Sequence, residues 1–188
     1  MSLDQKNLLK KVYEVNQNLI LVIVNGSTIS LPWASKNIPA IVEAWYPGQS
    51  GGKAIAEVLF GDFNPGGKLP MTFYKNIDQL PPFDDYDIRK GRTYMYLKED
   101  PLYPFGYGLS YSKFSYSNLS TNRKVYESLS DTIRINVELK NTSKVDGYEV
   151  VQLYSSDLFA EITPDVKRLR DFKRIFIKSG ESKSINFS

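Results

Sequence analysis

The chain has 188 residues, 41% of them hydrophobic and 24% charged, with a net charge of +3 and neither cysteine nor histidine. Those proportions suit a folded protein with one large or two small cores. The missing cysteines and histidines exclude disulfide frameworks, thiolate nucleophiles, Cys-based zinc sites, His-dependent triads and imidazole metal ligands, and the small charge with no basic cluster among stacking aromatics gives no footing for nucleic acid.

No apolar run approaches the length of a membrane span; the longest is Leu19 to Val24. Met1 leads into a polar stretch and no signal peptide is read. Met1-Ser2-Leu3 looks like a vector-derived start rather than a native terminus. Leu8, Leu9, Val12 and Val15 at helical spacing predict a first helix. Asn18 to Val24 then reads as a continuous apolar strand of the kind covered on both faces in a parallel sheet, ended by Asn25-Gly26-Ser27. Pro32-Trp33-Ala34 is expected in a connecting segment, with Trp33 packed at the sheet edge rather than stacked on a sugar.

Ile41-Val42-Glu43-Ala44-Trp45-Tyr46 predicts a second strand, closed by Pro47-Gly48. A glycine turn, Gln49-Ser50-Gly51-Gly52, opens a helix from about Lys53 to Phe60. Ala54, Ile55, Val58 and Leu59 share one of its faces, and Gly61 stands at the C-cap. Gly51-Gly52-Lys53 between strand and helix invites a phosphate-loop reading. That pattern needs a glycine where Pro47 stands and Ser or Thr where Ala54 stands, so the glycines are read instead as allowing close backbone approach. Helix, strand, strand and helix fit an α/β layer that is too short for a complete doubly wound sheet.

A further short strand is expected over Lys68 to Tyr74. Asn76 to Arg92 loses periodicity. Its Asp84, Asp85 and Asp87 are carboxylates of the type calcium takes, but the EF-hand spacing and glycine are missing, and the loop is read as solvated. Tyr94 to Tyr107 is dense in aromatics, suited either to stacking on sugars or to joining two domains. From Phe114 the period becomes two. Thr132 to Lys140 alternates throughout, predicting Ile133, Ile135, Val137 and Leu139 on one buried face. Tyr148 to Tyr154 reads as a strand with apolar residues on both faces. A loop through Thr163-Pro164 leads to a strand over Phe172 to Ile177, a turn at Ser179-Gly180 and a last strand from Ser184 to Phe187. Short strands at such intervals predict a β-sandwich lacking the immunoglobulin disulfide.

Three blocks carry a family resemblance: VNGSTISLPWA (Val24 to Ala34), WYPGQSGGKAIAEVLFGDFNPGGKLPMTF (Trp45 to Phe73) and LYPFGYGLSYSKF (Leu102 to Phe114). In content, order and spacing they resemble the C-terminal part of glycoside hydrolase family 3. KNTSKVDGYEVVQLY (Lys140 to Tyr154) resembles the fibronectin type III-like module that closes many of these enzymes. The resemblance implies a partial α/β sandwich with an aromatic linker over residues 1–107 and an immunoglobulin/fibronectin III-like β-sandwich over 108–188.

Retaining glycoside hydrolysis needs two carboxyl groups about 5–5.5 Å apart across the scissile bond. The resemblance implies an aspartate nucleophile in a preceding barrel and a glutamate acid/base upstream of the VNGS block. Both are then expected outside this chain, so no catalytic, cofactor or metal residue is assigned within it. Glu43 and Glu57 lie inside the matched region, and a buried Glu43 would have the raised pKa of an acid catalyst; neither is assigned that role. The parent is expected to act on oligosaccharides through the missing barrel, without a cofactor, and to fit a periplasmic or secreted bacterial enzyme. Leu80 to Tyr103 looks most like β-xylosidase members, whereas β-glucosidases share mainly the PFGYGLSY block. The alternative reading is a non-catalytic carbohydrate-binding or adhesion module using the aromatics around Tyr94 to Tyr107.

Overall fold

The computed structural model describes residues 1–128, 130–159 and 165–188, and the chain divides into two units. The first comprises Met1–Asp62, Leu69–Tyr107 and Ser156–Lys167, the second Phe63–Lys68, Gly108–Ser155 and Arg168–Ser188.

In the first unit, helix α1 (Leu3–Val15) opens with a reciprocal cap. Ser2 Oγ accepts from the Gln5 amide at 3.3 Å and the Ser2 amide donates to Gln5 Oε1 at 3.0 Å. Strands β1 (Ile20–Ile23) and β2 (Ala40–Glu43) form from these β-branched runs and pair in parallel, Ile23 opposite Glu43. Both are shorter than expected: Ala44 to Tyr46 lie outside β2, and Ile20 and Val24 are exposed rather than covered. Between them Pro32–Asn37 forms a short helix, α2, where a connecting segment was expected; Pro32 at its first turn brings a preset φ and no amide to satisfy. Trp33 meets Tyr13 of α1 edge-on at 5.5 Å, so it is a packing residue. The core is Ile23, Leu31, Ala34 and Ile38, with Leu9, Tyr13, Leu21 and Ile41 packed against it.

The expected apolar face of α1 is split. Leu9 turns to this core, whereas Leu8, Val12 and Val15 are exposed. Helix α3 (Gly51–Phe60) ends at Gly61 with φ 85°, the left-handed C-cap a glycine accepts without strain. Its Ala54 is exposed, unlike Ile55, Val58 and Leu59. A side chain at Gly51 would strike the Pro47 ring and one at Gly52 would meet open space, so these glycines do not serve helix–strand approach.

Lys68 to Tyr74 is not a strand. Pro70 supplies no ladder donor, and only the Phe73–Tyr103 bridge forms, with the Leu69 amide bonded to Tyr107 O at 2.7 Å. Residues 76–92 are irregular apart from a 3₁₀ turn at Ile77–Gln79, and Thr93–Tyr96 forms a single-turn helix, α4.

The second unit is a β-sandwich. Strands β3 (Phe114–Thr121), β4 (Ile135–Asn141) and β7 (Ser182–Phe187) form one antiparallel sheet, and β5 (Gly147–Ser155) and β6 (Arg168–Ile177) another. Val137, Leu139, Ile185 and Phe187 of the first sheet pack against Val151 and Ile177 of the second. Each such side chain contributes about 1.5–3 kcal/mol by burial. Ile133 departs from the expected face: the β3–β4 register ends at Thr121 opposite Ile135, and Ile133 beyond it is 48% exposed. The Thr163-Pro164 loop lies outside the described residues.

Asn141, fully buried at the end of β4, is satisfied on every side. Its Nδ2 donates to Val145 O at 2.8 Å and to Ile177 O at 3.2 Å, while its Oδ1 accepts from the Ser143 amide and hydroxyl. One carboxamide therefore ties β4 to β6 of the facing sheet.

Candidate functional site

The carboxyl ends of β1 and β2 are where open α/β layers place their chemistry. Glu43 ends β2 on the face that also carries Ile41, so its carboxyl lies at the margin of the apolar core. Glu43 Oε1 accepts from the Trp45 amide at 3.1 Å, whereas Oε2 is buried without a hydrogen-bond partner. Burial raises the carboxyl above its ordinary range, opposed by the Trp45 amide. That same bond steadies Trp45 at φ 51°, a left-handed conformation uncommon for a bulky residue.

Asn25, two residues past β1, also has a buried unpartnered oxygen, Oδ1, while its Nδ2 donates to Ser27 O. A side chain at Gly26 would meet the Tyr46 ring at 2.5 Å. The exposed Tyr46 ring thus lies over Gly26, and a Cβ there would displace the end of that ring.

Three of the other candidate carboxylates have cationic partners of their own. Glu57 bonds Lys53 one helical turn away at 3.6 Å. Asp85 is held below the usual carboxylate range by the Lys90 ammonium at 2.7 Å, and Asp87 likewise by the Arg89 guanidinium at 2.8 Å. Both are in the form opposite to a proton donor. Asp84 is exposed. Among the described residues no group of three or more Asp or Glu side chains is placed to hold a metal ion.

The aromatics singled out in the sequence pack on one another within the first unit. Tyr94 stacks on Phe105 at 4.2 Å, Tyr103 on Tyr107 at 5.3 Å, and Phe73 meets Tyr103 and Trp45 edge-on. Outside that stretch, Phe83 and Tyr86 are presented to solvent, 92% and 83% exposed, as are Tyr46, Phe60 and Phe159. The loop of Phe83 and Tyr86 is gripped by Arg92, whose guanidinium donates to Pro82 O at 2.8 Å and Asp85 O at 2.7 Å. The Pro81-Pro82-Phe83 run was the sequence signal for Phe83 and Tyr86: aromatics in a stretch without periodicity have no face to bury.

In the second unit the sequence reading missed a nearly buried ion pair, Lys68 Nζ to Glu149 Oε1 at 3.1 Å. Lys68 also donates to Gly108 O at 2.8 Å, and the Tyr116 hydroxyl bonds Glu149, with burial and the Glu149 charge raising the phenol. Gly108 must be glycine because a Cβ there would collide with Gly67 O.

Comparison with known proteins gives these elements a context. Residues 1–111 match the glycosyl hydrolase family 3 C-terminal domain and residues 149–188 a fibronectin type III-like domain. A xylan 1,4-β-xylosidase of Xylanibacter ruminicola is 45% identical over 97% of the chain and 20% of its own length. The thermostable β-glucosidase B of Acetivibrio thermocellus is 37% identical over 98% of the chain and 26% of its own length. Among solved structures, a GH3 β-glucosidase from Bifidobacterium adolescentis superposes with a TM-score of 0.86 at 34% identity, covering 99% of the chain and 29% of that protein. A β-glucosidase from Erythrobacter marinus gives 0.85 at 37% identity, covering 98% of the chain and 24% of that protein. The chain thus spans 20–26% of the length of the curated relatives it matches.

Proposed function

The chain belongs to the glycosyl hydrolase family 3 C-terminal domain family, and from that premise we propose that it is the C-terminal part of a retaining β-glycosidase whose catalytic carboxylates both lie outside it. The parent removes terminal β-xylosyl or β-glucosyl units from oligosaccharides, and the 188 residues alone are inactive. The observation that carries this is the state of the carboxylates. Glu43 is raised by burial and stands without a facing carboxylate partner in any hydrogen bond, and Glu57, Asp85 and Asp87 are engaged by lysine or arginine. Retaining hydrolysis requires a matched pair.

The domain division we propose is a partial α/β sandwich over residues 1–107 and a fibronectin III-like sandwich over 108–188. The solvent-facing Leu8, Val12 and Val15, and a parallel sheet of only β1 and β2, support a larger α/β layer in the parent. Xyloside is the favoured substrate class, because the 45% identical relative is a xylosidase and the Leu80 to Tyr103 segment has that character. The test is expression of the whole reading frame, with barrel-coding sequence upstream of Met1. Its product should hydrolyse aryl β-xyloside with a higher kcat/KM than aryl β-glucoside. An intact protein without a barrel, or without activity on either, would refute the reading.

A further inference from the structure

The outward face of the β5–β6 sheet is set by its register. Val151 and Ile177 point into the core, so Tyr148 and Val150 alternate outward on β5, beside Phe176, Arg174 and Phe172 on β6. Phe172 is 61% exposed and Phe176 38%, and Arg174 between them is exposed as well. The Arg174 guanidinium lies over the Tyr148 ring at 3.5 Å, and Tyr148 in turn meets Phe176 at 5.1 Å. Stacking positions the guanidinium without using its N–H groups. Arg174 has no carboxylate partner among the described residues, and none of these five outward positions carries an acid.

The loop Phe83-Asp84-Asp85-Tyr86 of the first unit presents the opposite pattern. Phe83, Asp84 and Tyr86 are all exposed. Asp85 and Asp87 bond Lys90 and Arg89, whereas Asp84 has no cationic partner among the described residues. The loop is braced from within. The Asp85 amide donates to Pro82 O at 3.0 Å, the Asp87 amide donates to Asp85 Oδ1 at 3.0 Å, and Arg92 holds two of its carbonyls. A braced loop loses little freedom on docking.

Exposed aromatics around an arginine are the composition of an association surface. Loop and sheet also complement one another in order and in charge: aromatic, carboxylate, aromatic on the loop, and aromatic, guanidinium, aromatic on β6. We propose that the chain associates with a second copy of itself, the Phe83–Tyr86 loop of one copy docking on the outward β5–β6 face of the other, with Asp84 on Arg174. Loop and face are different surfaces, so the contact is heterologous, and a bound pair still offers one free loop and one free face. One loop on two strands buries less than about 1,200 Å², which places the contact among the weak ones. Nothing in this association depends on the glycosidase reading.

The experiment is sedimentation velocity of the purified chain from micromolar to millimolar concentration. The mean sedimentation coefficient should rise with concentration, and the rise should shrink in high salt. Asp84→Ala and Arg174→Ala should each weaken association by about tenfold, the loss of a charge-assisted hydrogen bond. Mixed together, the two variants should associate as strongly as the wild type but stop at the dimer, because one keeps the loop and the other keeps the face. That complementation separates a lost contact from a lost fold. A wild type that stays monomeric throughout, association insensitive to both substitutions, or a mixture that fails to associate while both variants keep the wild-type circular dichroism would each overturn the proposal. Association lost in Leu8→Lys and kept in Asp84→Ala would place the contact on the exposed side of α1 and overturn it as well.

Discussion

Lys68 and Glu149 form an ion pair at 3.1 Å with side chains only 15% and 10% exposed, 81 residues apart in sequence and both within the β-sandwich unit. Removing one member strands the other in low dielectric. Lys68→Met should therefore lower unfolding free energy by about 3–5 kcal/mol, whereas Lys68→Met with Glu149→Leu should recover a large part of that loss. Urea unfolding of the single and double variants measures it. Strictly additive losses would show that the two residues do not act as a pair.

Asn141 makes a parallel case without charge. Asn141→Leu has similar size but removes the donor to Ile177 O and the acceptor of the Ser143 amide, while Val145 O keeps the Ser112 hydroxyl at 2.7 Å. Each unsatisfied group costs about 1–3 kcal/mol, so the variant should be among the most damaging single changes in the sandwich. Its thermal midpoint, compared with that of Asn136→Leu on the outer face of the same strand, checks this.

The β4 strand shows how far sequence reading carries. Its period-two alternation correctly buries Ile135, Val137 and Leu139 at least in part, because alternation is a local property. It overreaches at Ile133, because strand ends are set by the partner: the β3–β4 pairing closes at Thr121 opposite Ile135, with one further bond from the Asn122 amide to Arg134 O at 3.0 Å, short of Ile133. Accordingly Leu139→Ala should cost about 2–5 kcal/mol and Ile133→Ser about 0.5 kcal/mol or less. Chemical denaturation of the two variants distinguishes them directly.

The same division holds for the site. The three sequence blocks were readable as a family pattern, and Gly61 as a helix cap, since both are local. The Lys68–Glu149 pair joins segments that only the fold brings together, and the burial that strands Glu43 Oε2 depends on surrounding side chains from several elements. Pro32 did carry a local signal for α2, which the low helix propensity of Trp33, Ser35 and Asn37 obscured.

Glu43 gives a pH prediction with a definite sign. Its folded pKa lies above the unfolded value of 4.5, so the folded state binds the extra proton between those two values. Stability should then fall as pH rises from 4.5 through the raised pKa and stay lower above it. Glu43→Gln keeps an acceptor for the Trp45 amide and removes the titration. Against this variant, the wild type should lose relative stability over that window and match it more closely at acid pH. A pH-independent difference between the two would contradict the assignment.

The central claim is that these 188 residues carry family 3 structure without its catalytic pair. The most direct measurement is nitrophenol release from aryl β-xyloside and aryl β-glucoside by the purified, demonstrably folded chain. The account predicts no release above buffer with either substrate. Turnover that survives repurification and is lost in Glu43→Gln or Glu57→Gln would contradict it and place a catalytic carboxylate inside the chain.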